Sequence, residues 1–314
     1  MRILEIIGAA LSLIAMFAIT AGGENQQPHQ LIKVGDGLKF PEGPAYDGLG
    51  NVAVSNCDAD YVTRFDAEDR ATILWRAATD RFTFHKTNGM TYFKDGSLFV
   101  CDFGRKAIIR IHTDGKQVLY ADRCDGQTFK GPNDLAFDPQ GNLYFTDPAG
   151  SHENNPVGCV YRVAQGAGTV TRVAEGLAFP NGIALSSDAK TLYVAESRTF
   201  SILKYAVKAD GTLGPKAVFA KLPSPHDPDG MNFDAAGNLW VAQYGAGAVQ
   251  VFNAQGQIVR TIQMPGKNIT NVEFAGRDLR TLYITEADTG TLYKMRVETP
   301  GLPLFCAPPN RAKQ

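Results

Sequence analysis

A polar residue, a short run of alternating apolar positions, a Gly/Asp/Asn turn and a second apolar run recur six times along this chain. The copies are EGPAYDGLGNVAVSN from Glu42, NGMTYFKDGSLFVCD from Asn88, NDLAFDPQGNLYFTD from Asn133, NGIALSSDAKTLYVAE from Asn181, DGMNFDAAGNLWVAQ from Asp229 and TNVEFAGRDLRTLYITE from Thr270. Successive starts are 46, 45, 48, 48 and 41 residues apart. Within each copy the apolar residues fall at two-residue steps, as in Met90 and Tyr92 or Ile183 and Leu185, which is the period of a strand. Weaker apolar stretches such as 107–111 and 117–120 supply two further strands per copy. A period in the forties with four short strands is that of a propeller blade; a β-helix repeats faster, and a helical solenoid needs a 3.6-residue pattern. The expected fold is all-β: a six-bladed β-propeller of four-stranded antiparallel blades around a central channel. Residues 31–34 precede the first copy and can pair with the last blade, closing the ring and removing its exposed edges.

The remaining composition narrows the function. The chain has 314 residues and a formal net charge of −1, which leaves no electrostatic footprint for nucleic acid. No run of five like charges marks a membrane-surface patch. Arg2 followed by the apolar stretch 6–18 and then Thr20, Ala21, Gly22 and Gly23 reads as a secretory signal peptide, although Glu5 weakens its basic start. A buried helix or an uncleaved anchor is the alternative. The expectation is a signal peptide at 1–23, cleaved after Ala21 or Gly23, a propeller at 24–299 and a loose tail at 300–314, exported to the periplasm or secreted. No later stretch is apolar enough to span a bilayer, so no membrane association is expected after cleavage. Cys57, Cys101, Cys124, Cys159 and Cys306 show no metal-binding spacing. One or two disulfides, or several buried thiols, both remain open.

The residues that open the copies carry the chemistry. First strands run along a propeller's channel, so Glu42, Asn88, Asn133, Asn181, Asp229 and Thr270 should ring one mouth. Asn-Gly and Asp-Gly are also hairpin signals, but each copy has its own turn further on, and Glu42 is a poor turn residue. Two carboxylates, Glu42 and Asp229, with the amides of Asn133 and Asn181 form an oxygen-only donor set. That set suits a hard dication, Ca²⁺ before Mg²⁺, since Ca²⁺ accepts irregular cages of about 6–8 oxygens. The absence of His and Cys from the ring argues against zinc; Mg²⁺, Mn²⁺ and Zn²⁺ stand as alternatives to Ca²⁺. Asn88, Asp147, His85 and His226 are the candidate substrate contacts, with His152 near another mouth position. Asp102, Asp147, Glu196 and Glu286 close the second strands and are expected to bond backbone amides.

The motifs PEGP (41–44), GPNDLAFD, GNLYFTDP, FPNGIAL and DPDGMNFD resemble the senescence marker protein/gluconolactonase/luciferin-regenerating enzyme family, over residues 38–295. The resemblance implies one divalent metal in the channel, held by Glu42, Asn133, Asn181 and Asp229, with Asp229 as general base. The implied function is a metal-dependent hydrolase opening a lactone ring, with Asp229, Asn181 and Asn133 as its catalytic residues. A phosphotriesterase of the diisopropylfluorophosphatase type and a non-enzymatic exported binding module are the alternatives; a small lactone or ester is the expected partner, and the oligomeric state is not legible. Sugar-lactone members often carry Arg two residues before the Asn of the ND motif. Here that position is Gly131, which separates this chain from them. No G-x-S-x-G elbow, H-E-x-x-H motif or phosphate loop offers other machinery.

Overall fold

The computed structural model describes residues 30–76, 84–166, 168–223 and 225–309. The signal segment expected at 1–23 lies outside them. Strand β1 (Ile32–Gly35) comes first in the chain but belongs to the last blade. Blade 1 is β2 (Pro41–Tyr46), β3 (Val52–Asn56), β4 (Tyr61–Phe65) and β5 (Ala71–Arg76); blade 2 is β6 (Thr87–Tyr92), β7 (Leu98–Asp102), β8 (Ala107–Ile111) and β9 (Gln117–Ala121). A small hairpin, β10 (Arg123–Cys124) and β11 (Gln127–Thr128), turns at Asp125-Gly126 before blade 3. Blade 3 is β12 (Leu135–Phe137), β13 (Leu143–Asp147), β14 (Gly158–Val163) and β15 (Val170–Leu177); blade 4 is β16 (Pro180–Leu185), β17 (Thr191–Glu196), β18 (Ser201–Ala206) and β19 (Ala217–Lys221). Blade 5 is β20 (Pro228–Phe233), β21 (Leu239–Gln243), β22 (Ala248–Phe252) and β23 (Ile258–Gln263). Blade 6 is β24 (Ile269–Ala275), β25 (Thr281–Glu286) and β26 (Thr291–Arg296), completed by β1, whose Ile32 faces Lys294. The last sheet therefore joins both ends of the repeat array, as the position of 31–34 predicts.

Innermost strands touch in the order β2, β6, β12, β16, β20, β24 and back to β2, so the ring is closed. An apolar cluster fills each gap between neighbouring blades. Phe99 of blade 2, for example, meets Phe137 of blade 3 edge-on at 5.0 Å. Burial falls from the channel outwards: β3, β7, β13 and β21 are buried along their whole length, whereas β23 alternates exposed and half-buried residues. Asn88-Gly89 and Asn181-Gly182 lie inside β6 and β16, not at turns. A Cβ on Gly89 would come within 2.7 Å of Asn133 O, and one on Gly182 within 2.3 Å of Asp229 O. The glycine after the polar residue is thus the space through which the next blade's backbone approaches.

One open alternative is decided and one expectation changes. All five cysteines are free, with Cys101, Cys124 and Cys159 buried as small hydrophobes. Residues 300–309 are not a loose tail. Leu302 N–H donates to Phe233 O at 2.9 Å, Gly301 N–H donates to Leu279 O at 2.8 Å, and Cys306 Sγ donates to Asp138 O at 3.3 Å. Leu302 and Phe305 pack on the cores of blades 5 and 4. The stretch Leu302, Pro303, Leu304 and Phe305 lines a cavity together with Met90, Leu135 and Met231 of the inner strands. The apolar run LPLF outweighs the proline and basic residues that suggest looseness in the sequence. Ending the chain at Pro300 should remove about 3 kcal/mol of burial and lower the melting temperature by roughly 6–12 °C; an unchanged melt would show that this segment contributes nothing to stability.

Candidate active site

Most of the polar residues that open the repeats sit on bulged strands; Asn133, which precedes β12, does not. Register shifts fall between Glu42 and Ala45 in β2, Thr87 and Met90 in β6, Pro180 and Ile183 in β16, and Pro228 and Met231 in β20. A bulge re-aims side chains locally, and here it recurs at each opening residue of these strands. The preceding blade then pins the bulged backbone. Ser55 Oγ donates to Asn88 O at 2.7 Å, Gly89 N–H to Asn133 O at 2.7 Å, and Thr146 Oγ1 to Asn181 O at 2.8 Å. Ser197 Oγ donates to Pro228 O at 2.8 Å and Thr270 Oγ1 to Pro41 O at 2.7 Å, one residue before Asp229 and Glu42.

The carboxylates that close the second strands hold the turn leading into each opening residue. Asp102 accepts the N–H groups of His85 and Arg105, Asp147 those of Lys130 and Gly131, and Glu286 those of Asn268, Asp288 and Thr289. Glu196 accepts Ala178 N–H at 3.0 Å and the Thr199 hydroxyl at 2.6 Å. The structural role expected from the sequence is what these bonds describe.

Glu42, Asn88, Asn133, Asn181 and Asp229 line one cavity of about 280 Å³ at the channel mouth. All five are buried. Thr270 does not join them: its hydroxyl is spent on Pro41 O and on Thr285 Oγ1. Asp147, His85 and His226, expected to contact substrate, are not among the residues lining this cavity, and neither is His152. The carboxylate of Asp147 is taken by backbone amides, and the three histidines are exposed.

The electrostatics of the cavity are unusual. Glu42 accepts a hydrogen bond from Gly43 N–H at 3.2 Å. Burial pushes its carboxyl up to about 8, with Asp134 adding to the rise. Asp229 is raised well above the usual carboxylate range, first by burial and then by Glu42 and Asp134; its hydrogen bond with the Asn181 side chain works in the opposite direction. Among the described residues neither carboxylate takes part in an ion pair. Asn133 Oδ1 is buried with no hydrogen-bond donor. A buried amide acceptor without a donor and two buried carboxylates without a basic partner line one cavity, each costly unless something positive meets it. The donor set fits a hard divalent cation.

Asp134 and an outer set of residues are not anticipated by the sequence reading. Asp134 lies within the channel, accepts the N–H groups of Leu135 and Ile183, and is raised to about 7 by burial. Phe40, Lys86, Phe179 and Asp227 each stand two residues before an opening residue and line the same cavity. Their carbonyls accept N–H groups from Cys57, Phe103, Ser197 and Tyr244 at 2.9–3.1 Å, and those four line the cavity as well. The signal was present as the residue before each proline or threonine in FPEG, KTNG, FPNG and DPDG. Phe40, Lys86 and Phe179 also hold φ of 53°, 63° and 60°, a conformation that costs a bulky residue about 1–3 kcal/mol and clusters at functional sites.

Two tests follow from this geometry. Thr146→Val removes a hydroxyl that donates to Asn181 O and accepts Asp134 N–H, and should lower the unfolding free energy by about 1–3 kcal/mol; a urea melt identical to wild type would contradict it. In chelator-treated protein, the raised Glu42 stabilises the fold only while protonated. Its contribution is complete below the ordinary value of 4.5 and is lost as pH rises through about 8. Wild type should therefore lose stability relative to Glu42→Gln across that window, and a pH-independent difference between the two would contradict the assignment.

Known proteins resemble this chain in sequence and in fold. A family model described as SMP-30/Gluconolactonase/LRE-like region matches residues 40–288, which include all five cavity-lining opening residues. Lactonase drp35 of Staphylococcus aureus is 37% identical over 195 residues, 59% of this chain and 59% of that protein. The chain thus spans about three-fifths of the length of this relative. Lactonase drp35 of Staphylococcus saprophyticus is 34% identical over 239 residues, 72% of this chain and 70% of that protein. A gluconolactonase structure from Xanthomonas campestris superimposes with a TM-score of 0.76 at 28% identity, covering 87% of this chain and 90% of that one. With the matched region spanning most of the chain, the protein belongs to the SMP-30/gluconolactonase/LRE-like family.

Proposed function

We propose that the protein is a metal-dependent lactonase, working in the cavity lined by Glu42, Asn133, Asn181 and Asp229. The observation that carries this reading is the convergence of two buried, unpaired carboxylates with an amide oxygen that has no donor. The lactonases among its relatives supply the reaction class. A divalent cation held by those four residues, Ca²⁺ by preference, would supply Lewis-acid polarisation of the lactone carbonyl.

The chain's own residues do the rest. Asp229 holds a water against the carbonyl carbon and takes its proton at a carboxylate oxygen as the new carbon–oxygen bond forms. The ring carbon–oxygen bond then breaks, and the proton passes to the departing alkoxide, leaving a hydroxy acid. Asp229 would enter the reaction ionised, because a bound cation offsets the burial and the Glu42 charge that otherwise hold it protonated. The hydrogen bond from Asn181 fixes the orientation of that carboxylate, and Asn88 lies on the same wall, within the substrate's space. The pinned backbone holds these groups without rearrangement, which is where preorganised sites gain their rate.

A panel of γ- and δ-lactones, assayed before and after chelation, tests the reading. Turnover should vanish on chelation and return with Ca²⁺. Asp229→Asn and Asn181→Ala should each lower kcat by roughly a hundredfold or more. Full activity after thorough chelation, or an Asp229→Asn enzyme as fast as wild type, would overturn it. A fluorophosphate in the same panel identifies a phosphotriesterase if it alone is hydrolysed.

A further inference from the structure

Four aromatic residues share the cavity wall with Cys57, Lys86, Ser197, Arg198 and Asp227. Phe40, Phe103, Phe179 and Tyr244 all line the cavity and all are half-buried, so part of each ring is uncovered. Phe40 and Tyr244 have ring centroids 6.4 Å apart, and the Arg198 guanidinium lies 5.3 Å over Phe179. Blades 1, 2, 4 and 5 each send the residue two before the opening one into the cavity wall, but in blade 3 that residue is Gly131. Its space is already filled. A Cβ on Gly131 would lie 3.0 Å from Phe103 Cε2 and 3.0 Å from Ala149 Cβ. Phe103 therefore stands where a polar side chain from position 131 would have to pass.

Part of the polar lining is engaged by the protein itself. Ser197 Oγ donates to Pro228 O, Arg198 pairs with Asp227 at 2.7 Å, and Lys86 lies 3.6 Å from Asp58. A polyhydroxylated ring entering this space would meet four partly uncovered aromatic rings, and fewer partners would be left for its hydroxyls than in water. A flat apolar ring would gain burial and edge or face contacts with the aromatic wall.

We propose that the cavity selects lactones whose non-reacting part is a flat apolar ring, an aryl-substituted lactone, over sugar lactones, with Phe103 and Phe179 as specificity-determining residues. The proposal rests on the lactonase reading for its reaction and on the wall alone for its selectivity. The test compares γ-phenyl-γ-butyrolactone, γ-butyrolactone and glucono-δ-lactone in turnover. In parallel, binding of the unreactive lactam 5-phenyl-2-pyrrolidinone is measured by calorimetry. The phenyl lactone should exceed gluconolactone in kcat/KM by at least about tenfold. Phe103→Leu and Phe179→Leu keep apolar volume but remove the aromatic face. Each should raise KM for the phenyl lactone roughly fivefold more than for γ-butyrolactone and weaken lactam binding in step. Gluconolactone turned over as well as the phenyl lactone, or lactam binding unchanged in both variants, would overturn the proposal. If no lactone is hydrolysed while the lactam binds and the Phe variants weaken it, the lactonase reading fails and the aromatic selectivity stands.

Discussion

Hydrogen bonds that pass from one blade to the next hold everything else in place. A hydroxyl or amide of one blade reaches the backbone carbonyl at or just before the next blade's opening residue, through Ser55, Gly89, Thr146, Ser197 and Thr270. These are buried groups, and a buried carbonyl left without its donor costs about 1–3 kcal/mol. The same bonds serve fold and site. They seal the blade interfaces near the channel, and they fix the bulged backbone that carries Glu42, Asn181 and Asp229 and the turn that carries Asn133, so that all four line one cavity. Residues up to 187 positions apart (42 to 229) meet because each blade positions the next.

The arrangement is held against a considerable electrostatic opposition. The carboxyls of Glu42 and Asp229 are both raised, that of Glu42 by burial and Asp134 and that of Asp229 by burial, Glu42 and Asp134, and neither has an ion-pair partner among the described residues. A fold selected for stability alone would replace such a pair with apolar side chains. Glu286, Asp102 and Asp147 show the contrasting solution, with carboxylates saturated by backbone N–H groups that they organise. The difference between the two groups of acids is the difference between scaffold and site.

The fold was legible because the inner two strands of every blade are buried and therefore strictly patterned. The outer strands, such as β23, are half-exposed, and their pattern is correspondingly weak. The five cavity residues were legible because they open the repeats at a constant position. Asp147 and the three histidines were not separable from sequence, since nearness to a strand end does not say which way a side chain turns; Asp147 is claimed by Lys130 and Gly131 N–H. The aromatic wall escaped notice because Phe40, Phe103, Phe179 and Tyr244 come from two different loop positions that only the blade pairing brings together. Residues 302–305 were misread because the contacts of Leu302 and Phe305 are made with several blades at once, a surface that exists only after the ring forms.

The claim on which the functional account rests is that Glu42, Asn133, Asn181 and Asp229 share one cation. Calorimetric titration of Ca²⁺ into chelator-treated protein, repeated in buffers of different ionisation enthalpy, measures this directly. The account predicts one bound ion per chain, proton release near neutral pH as the raised carboxyls ionise, and loss of the binding heat in Asn133→Ala. No binding heat in the wild type, or an Asn133→Ala titration that matches it, would contradict the account.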